Sequence, residues 1–530
     1  MSQEQISPMH IQDPVEKQKR IDEIMEQKLK DGIITPEVAA GSWAPSMPVP
    51  ENPLEWGEPF PKAAKRMIKN KQVRENVERA TNTIVTKRNM RAAELPDWQQ
   101  LRMSGEAMKR YVGDNLPDLL VQMEENVKKR GGHVHWARDG KEACKIAAEI
   151  YKSHNIDEIV KVKSMVSQEI GFNENLEKEG IKAWETDLAE LIVQLADDMP
   201  SHIVVPALHR NRTEVRNLFS QRVPSAPEVL SDEPEELAGV ARRHLREKFL
   251  NCKGAFSGAN MMIADSGSLI IFESEGNGRM CTTVPEVLVS IVGIEKIVPT
   301  MEDVSIVGQL LGRSATGERM NPYTSVWSGV EEDDGPKEFH LILLDNGRSN
   351  ILNDTIARQA LHCIRCGACI NACPVYHVVG GHAYGSVYPG PIGSCITPHL
   401  VNDFDHDRPV NTMPYACSLC QACYEACPMH INLPEILVDL RHKITEHNRG
   451  HHTDAYSLGM KYTVPIMSSG SKLNFFGSKA KMLRMLAKDG RVKKLPFNAV
   501  SGWTDQRDIP APPKKNFRAW YKEHKQGGQN

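Results

Sequence analysis

The sequence predicts an α/β domain with a mainly parallel sheet, preceded by a helical lead-in and followed by a helical domain organised by cysteines. Three observations carry that prediction. Short apolar runs alternate with amphipathic stretches over residues 133–352, charged sequence of helical period precedes them, and nine of the 12 cysteines fall between Cys363 and Cys427. A chain of 530 residues exceeds what one core usually organises, so several domains are expected.

Residues 1–60 are rich in Pro, Glu and Lys. The stretch WAPSMPVPENPLEW resists regular structure because proline fixes φ and removes donors, which gives an extended arm. Residues 61–132 place apolar side chains at three- and four-residue intervals, the period of a helical lead-in. Within 133–352, DEIVKVKSMV, IKAWET, SHIVVPA and VLVSIVGIEKIVP read as strands and a helix is expected from Glu174 to Gly180. MMIADSGSLIIFESEGN reads as a hairpin turning at Asp265-Ser266-Gly267 and added to the same sheet. Residues 353–448 carry the cysteine motifs among helices, and residues 449–530 form a C-terminal extension. Its basic stretch from Lys479 to Lys494 reads as a solvated helix face ahead of a lipid contact.

Charged residues make up 25% and the net charge is −3, so bulk charge gives no pull toward nucleic acid. The Met1 end lacks the basic, apolar and small-residue succession of an export signal, and no apolar run reaches membrane-spanning length. A cytoplasmic protein is expected, at most peripheral to the inner face of the cell membrane.

The cysteines fall into two motifs of identical spacing, Cys363-x2-Cys366-x2-Cys369-x3-Cys373-Pro374 and Cys417-x2-Cys420-x2-Cys423-x3-Cys427-Pro428. Three cysteines at three-residue intervals wrap one tight loop around a cubane, and the fourth reaches the cluster of the other motif. The spacing therefore predicts two 4Fe-4S clusters, one on Cys363, Cys366, Cys369 and Cys427, the other on Cys417, Cys420, Cys423 and Cys373. Zinc sites normally use separated C-x-x-C pairs and fit poorly. Cys395, Cys144, Cys252 and Cys281 read as small buried hydrophobes. Two such clusters move single electrons, and substrate chemistry needs a further site.

LLDNGRSNIL, ALHCIRCGACINACPVY, GGHAYGSVYPGPIGS and CSLCQACYEACP, with RGGHVHWARD and KSMVSQEIGFNENLEKEGIKAWETDLAELIVQL upstream, resemble the iron–sulfur subunit family of the bacterial L-lactate utilisation system, over about residues 61–520. The resemblance implies a LUD domain, similar to the NagB/RpiA/CoA-transferase-like group, followed by a two-cluster ferredoxin-type domain. It implies an NAD-independent oxidoreductase complex with a cysteine-rich iron–sulfur subunit and a second LUD-domain subunit, taking L-lactate to pyruvate and passing electrons to the quinone pool or its reductase. Cys395 and the N-terminal arm depart from the family pattern.

A 2-hydroxy acid needs cations or N–H groups for its carboxylate and a base for its hydroxyl. Candidates are Lys163, Ser164, Glu169, Glu185, Asp187, His202, His209, Asn260, Asp265, Ser266, Glu275, Asn277 and Arg279, with Asp265, Arg279, Glu185 and His209 taken as catalytic. Asp265, between apolar runs, is expected to be buried, although Asp265-Ser266-Gly267 is equally a good turn. His133 and His135 alternate as on a strand and read as packing or surface, and His451-His452 as an exposed loop. Gly276-Asn277-Gly278 is the nearest approach to a phosphate-binding loop and is weak.

Overall fold

Val287–Gly293 (β7) is buried at every position, the mark of a strand covered on both faces. It pairs in parallel with Glu338–Leu344 (β10) on one side and Gly254–Ser257 (β4) on the other. His133–Ala137 (β1), Glu158–Lys161 (β2) and Lys182–Glu185 (β3) complete a six-stranded, all-parallel sheet in the order β1-β10-β7-β4-β2-β3. Side chains alternate across it. Val287, Val289 and Ile291 join a core with Ala143, Ala147 and Tyr151 of the Gly140–Ser153 helix. Leu288 and Val292 face a larger core that runs without a break through the lead-in helices into the cysteine-rich domain.

The computed structural model describes residues 50–449, 455–495, 504 and 507–526, with isolated positions between 19 and 30. Most of the N-terminal arm and His451-His452 lie outside the described residues. The chain divides into two compact units, residues 1–447 and 448–530. In the first, the lead-in forms helices Phe60–Met67, Lys71–Ala93, Trp98–Asp114 and Leu116–Lys129. The helix expected from Glu174 runs from Phe172 to Lys178. In the second, helices Ala455–Met467, Gly470–Lys479 and Phe517–Gln526 accompany a short antiparallel pair, Arg491–Val492 with Ile509–Pro510. Arg518 donates to the Gly470 carbonyl there, at 2.8 Å.

Two expectations are corrected. The hairpin Met261–Ile263 (β5) and Ser268–Glu273 (β6) does not join the main sheet. It forms a separate four-stranded sheet with Ile297–Val298 (β8) and Tyr323–Trp327 (β9), in the order β8-β5-β6-β9. Apolar runs reveal that a strand is buried, and leave open which sheet buries it. SHIVVPA forms no strand. His202 Nδ1 accepts the Val204 and Val205 amides at 3.1 and 3.0 Å, and Pro200 and Pro206 supply no donor, so the ladder hydrogen bonds are already used. The segment instead packs on the cysteine-rich domain. A Cβ on Gly381 would lie 1.8 Å from the Ser201 carbonyl oxygen, so only glycine permits that approach.

A buried ion network ties the two parts of this unit. Arg348, immediately after β10, holds Glu169 at 2.8 and 2.9 Å and Glu295 at 2.6 Å. Tyr388 of the cysteine-rich part donates to the same Glu169 at 2.7 Å, and Arg365 lies 3.6 Å from Glu295. Burial works against the Glu295 charge, but Arg348, Lys296 and Arg365 prevail and hold its carboxyl at about 2. Each charge is thus compensated, as a fully buried ion requires.

Candidate functional site

The two cysteine loops have one backbone pattern. Arg365 and Gly367 in the first, and Leu419 and Gln421 in the second, have positive φ at equivalent places, 62°, 75°, 57° and 66°. That reversal turns amides inward: Arg365 N–H donates to Cys363 Sγ at 3.4 Å and Leu419 N–H to Cys417 Sγ at 3.2 Å. Ile431 N–H does the same for Cys427 at 3.5 Å, and the Val375 and Tyr376 amides face Cys373. Amide donors to sulfur are the contacts that tune an iron–sulfur centre.

The sulfurs of the two motifs influence one another across the motifs, and Cys369 feels Cys363, Cys366, Cys427 and also Cys423. Burial, then Cys363 and Cys427, push the Cys366 thiol up, while burial, then Cys373, Cys417 and Cys420, push Cys423 up to about 12. Cys373 has Cys417 and Cys420 as its cysteine neighbours, and Cys427 has Cys363. Among the described residues no three cysteine sulfurs lie within 4.8 Å of one another. Thiolates on a single tetrahedral zinc ion sit about 3.8 Å apart, so among the described residues no three cysteines are arranged for one zinc ion. Desolvated thiols of this kind stay protonated without metal, and ligation is what makes thiolates of them.

The two groups differ in setting. Cys366, Cys369 and Cys427 are buried and Cys363 is half-buried, with cations on the surrounding backbone. Lys296 donates to the Cys363 carbonyl, Arg102 to that of Cys427 at 2.9 Å, and Arg88 to that of Ala426 at 3.1 Å. In the other group Cys373 and Cys423 are buried and Cys417 half-buried, but Cys420 is exposed, beside exposed Leu419 and Tyr415. Cys395 is fully buried, its thiol on the Leu433 carbonyl at 3.5 Å, and Cys144, Cys252 and Cys281 are buried too.

A cavity of about 250 Å³ lies where the α/β part meets the first cysteine loop. Lys163, Ser164, Asp187, Asn260, Glu275 and Asn277 line it, joined by Lys296, Ile364 and Arg365. Lys163 and Ser164 follow the end of β2, where open parallel sheets bind ligands. Ser164 caps the Met165–Glu169 helix, and a Cβ on Gly258 would sit 2.6 Å from its hydroxyl. Asn277 donates to Thr186 at 3.1 Å. Burial and then the Arg365 charge pull Lys296 down to about 7. Lys163, Lys296 and Arg365 share the wall with Asp187, Glu273 and Glu275, and Lys163 Nζ donates to the Val204 carbonyl at 2.7 Å. A larger cavity of about 470 Å³ is lined by Lys109, His362, Tyr424 and His430, with Glu295 just past the end of β7.

The other candidates lie elsewhere. Asp265 and Arg279 are exposed: Asp265 sits in the hairpin turn, and Arg279 stacks over Tyr323 at 4.9 Å. The expected burial of Asp265 fails because the turn reverses at the surface. Ser266, in that turn, does not line the cavity. Glu169 belongs to the Arg348 network. Glu185 pairs with Lys161 at 2.6 Å in a neighbouring cavity. His209 is held between Ser201 at 2.7 Å and Asp198 at 2.9 Å, and His202 donates to Asn371 at 3.0 Å, both buried between domains. His133 and His135 stack on His340. Sequence reasoning missed Lys296 and Arg365, although a cation inside the C-I-R-C loop and another between two apolar strands were visible signals.

Family models match three successive parts of the chain: LUD domain over residues 120–344, 4Fe-4S dicluster domain over 359–431, and Lactate utilisation protein B, C-terminal, over 439–526. Lactate utilization protein B of Bacillus cereus (strain AH820) is 42% identical over 465 residues, 87% of this chain and 96% of that protein. Its counterpart from Shouchella clausii (strain KSM-K16) is 41% identical over 478 residues, 89% and 98% respectively. A crystal structure of a duf162 family protein from Deinococcus radiodurans matches 43% of this chain and 98% of its own at 14% identity, but with a TM-score of 0.24 it carries no argument. With a LUD domain, a 4Fe-4S dicluster domain and relatives above 40% identity along nearly their whole length, the chain belongs to the lactate utilization protein B family.

Proposed function

We propose that this chain is the electron-transfer subunit of a complex that oxidises L-lactate to pyruvate without NAD, and that it receives the substrate beside its buried cluster. Cys363, Cys366, Cys369 and Cys427 hold one 4Fe-4S cluster, and Cys417, Cys420, Cys423 and Cys373 hold the other. When bound, the two clusters supply single-electron transfer, and together they match the two electrons that a 2-hydroxy acid releases with two protons. The observation that carries the reading is the shared wall of the 250 Å³ cavity, where LUD-domain residues face Ile364 and Arg365 of the first cysteine loop.

Lys163, Lys296 and Arg365 bind the acid's carboxylate, and Asn260 and Asn277 orient its hydroxyl. The exposed side at Cys420 supports electron exit to a partner, either the cysteine-rich iron–sulfur subunit or the second LUD-domain subunit, and onward to the quinone pool. Among the described residues no helix is long and apolar enough to cross a membrane, so contact with that pool requires peripheral docking or a reductase.

The test is freeze-quench spectroscopy of the assembled complex mixed with L-lactate. Lys163→Met and Asn260→Leu are expected to slow lactate-dependent cluster reduction by about 100-fold, with dithionite reduction and iron content unchanged. Asp265→Asn and Arg279→Met, outside the cavity, are expected to reduce at the normal rate. The reverse pattern would move substrate binding to the hairpin, and normal rates in all four variants would put it on another subunit.

A further inference from the structure

Beside the proposed substrate cavity, at the C-terminal ends of β2 and β3, lies a second cavity of about 240 Å³ whose lining includes Glu185, Glu190, Gln168 and Asn173. Lys161 and Glu185 are the last register partners of those two strands, and Glu190 stands in the first turn of the Leu188–Leu195 helix. Glu185 and Glu190 are 3% and 2% exposed, deep enough that an uncompensated charge is costly.

The hydrogen bonds leave a particular deficit. Gln168 Nε2 donates to Glu190 Oε2 at 2.7 Å and Asn173 Nδ2 to Glu185 Oε1 at 2.9 Å. The carboxylates only accept, so these bonds fix which way both amides point. Lys161 Nζ adds a donor to the same Glu185 Oε1. Four buried oxygens then have no partner: Glu185 Oε2, Glu190 Oε1, Gln168 Oε1 and Asn173 Oδ1. All four are acceptors on residues that line one cavity, and every amide and ammonium contact given for these side chains is already directed at another oxygen. Glu174 and Glu177 add further negative charge to the wall.

From these two carboxylates and two amide oxygens we infer a binding site for one hard divalent cation of the Mg²⁺, Mn²⁺ or Ca²⁺ class. Carboxylate and amide oxygens are the ligands such ions take, and the space left accommodates water in the remaining positions. A proton on Glu190 satisfies one oxygen and leaves three, whereas a divalent ion takes oxygens of this kind as ligands and balances the charge that Lys161 alone leaves over. The ion acts as a clamp. Gln168 belongs to the Met165–Glu169 helix whose cap, Ser164, lines the substrate cavity, so loading the site fixes that wall.

The experiment uses the full chain with its clusters, stripped of divalent ions with chelator and titrated with Mn²⁺, the free-ion spectrum reporting what is bound. One equivalent is expected to disappear per chain, to be displaced by Mg²⁺ or Ca²⁺, and to raise the melting temperature. Glu190→Gln and Gln168→Leu are each expected to weaken uptake by about tenfold or more. Asp197→Asn, on the exposed rim, is expected to leave it unchanged. Cluster absorbance and melting curves check that each variant is folded. No stoichiometric uptake, or uptake that survives both buried substitutions in folded protein, overturns the inference.

Discussion

Cys427 belongs to the second motif by sequence and to the first sulfur group by position, with Cys363 its cysteine neighbour and the Ile431 amide on its sulfur. Cys427→Ser is therefore expected to remove the buried cluster and spare the exposed one, halving an iron content of about eight per chain. Iron analysis with spectra of the residual cluster checks this, and loss of the exposed cluster alone would contradict the crossing. The same reasoning at single residues separates Lys163 from Asp265. Both are charged residues near strand ends, but only Lys163 meets a wall built by the other domain, while Asp265 turns at the surface. Sequence shows that a residue is charged and flanked by apolar runs, whereas the direction of its side chain depends on partners hundreds of positions away.

At the scale of elements, Arg348 links the end of β10, the Met165–Glu169 helix and the turn carrying Glu295. Arg348→Met leaves Glu169 and Glu295 buried without their main counter-charge. A loss of about 3–5 kcal/mol is expected, read as a lower midpoint in denaturant. An unchanged midpoint would mean that Tyr388, Arg365 and Lys109 suffice for both acids. The two cysteine loops rest on the same principle of local backbone fixed by distant contact. Gly367 has positive φ, and its missing Cβ leaves room for Val204 and His202, which a side chain there would approach within 3.1 and 3.4 Å. The segment that failed to become a strand is thus the one that buttresses the first loop.

Over the whole molecule, His202, His340, His362, His382 and His399 are each held down at about 4, in every case chiefly by burial. Their folded values lie below the ordinary 6.5, so the unfolded chain binds more protons and stability falls as pH drops from about 6.5 towards 4. The melting temperature is expected to be lower at about pH 5.5 than at about pH 7.5, and equal values would contradict it. The division after residue 447 gives a second expectation: residues 1–447 alone keep their clusters and their melting transition, whereas residues 353–448 alone do not fold, because their core is continuous with the α/β part. Cluster absorbance of the two fragments checks both. The sequence by itself determined the α/β and cysteine-rich parts and the strands β2, β3 and β7 of the main sheet, because these rest on periodicity and spacing within short windows, whereas β4 and β10 were not legible in it. Tertiary structure alone decided that the hairpin builds a second sheet, that His202 spends its ring on backbone amides, and that Lys296 and Arg365 close a cavity with Lys163. The first two outcomes depend on which backbone groups the segment meets within its own domain, and the third on side chains meeting across domains, where the energy of burying a charge or an amide is set by the partner and not by the neighbouring sequence.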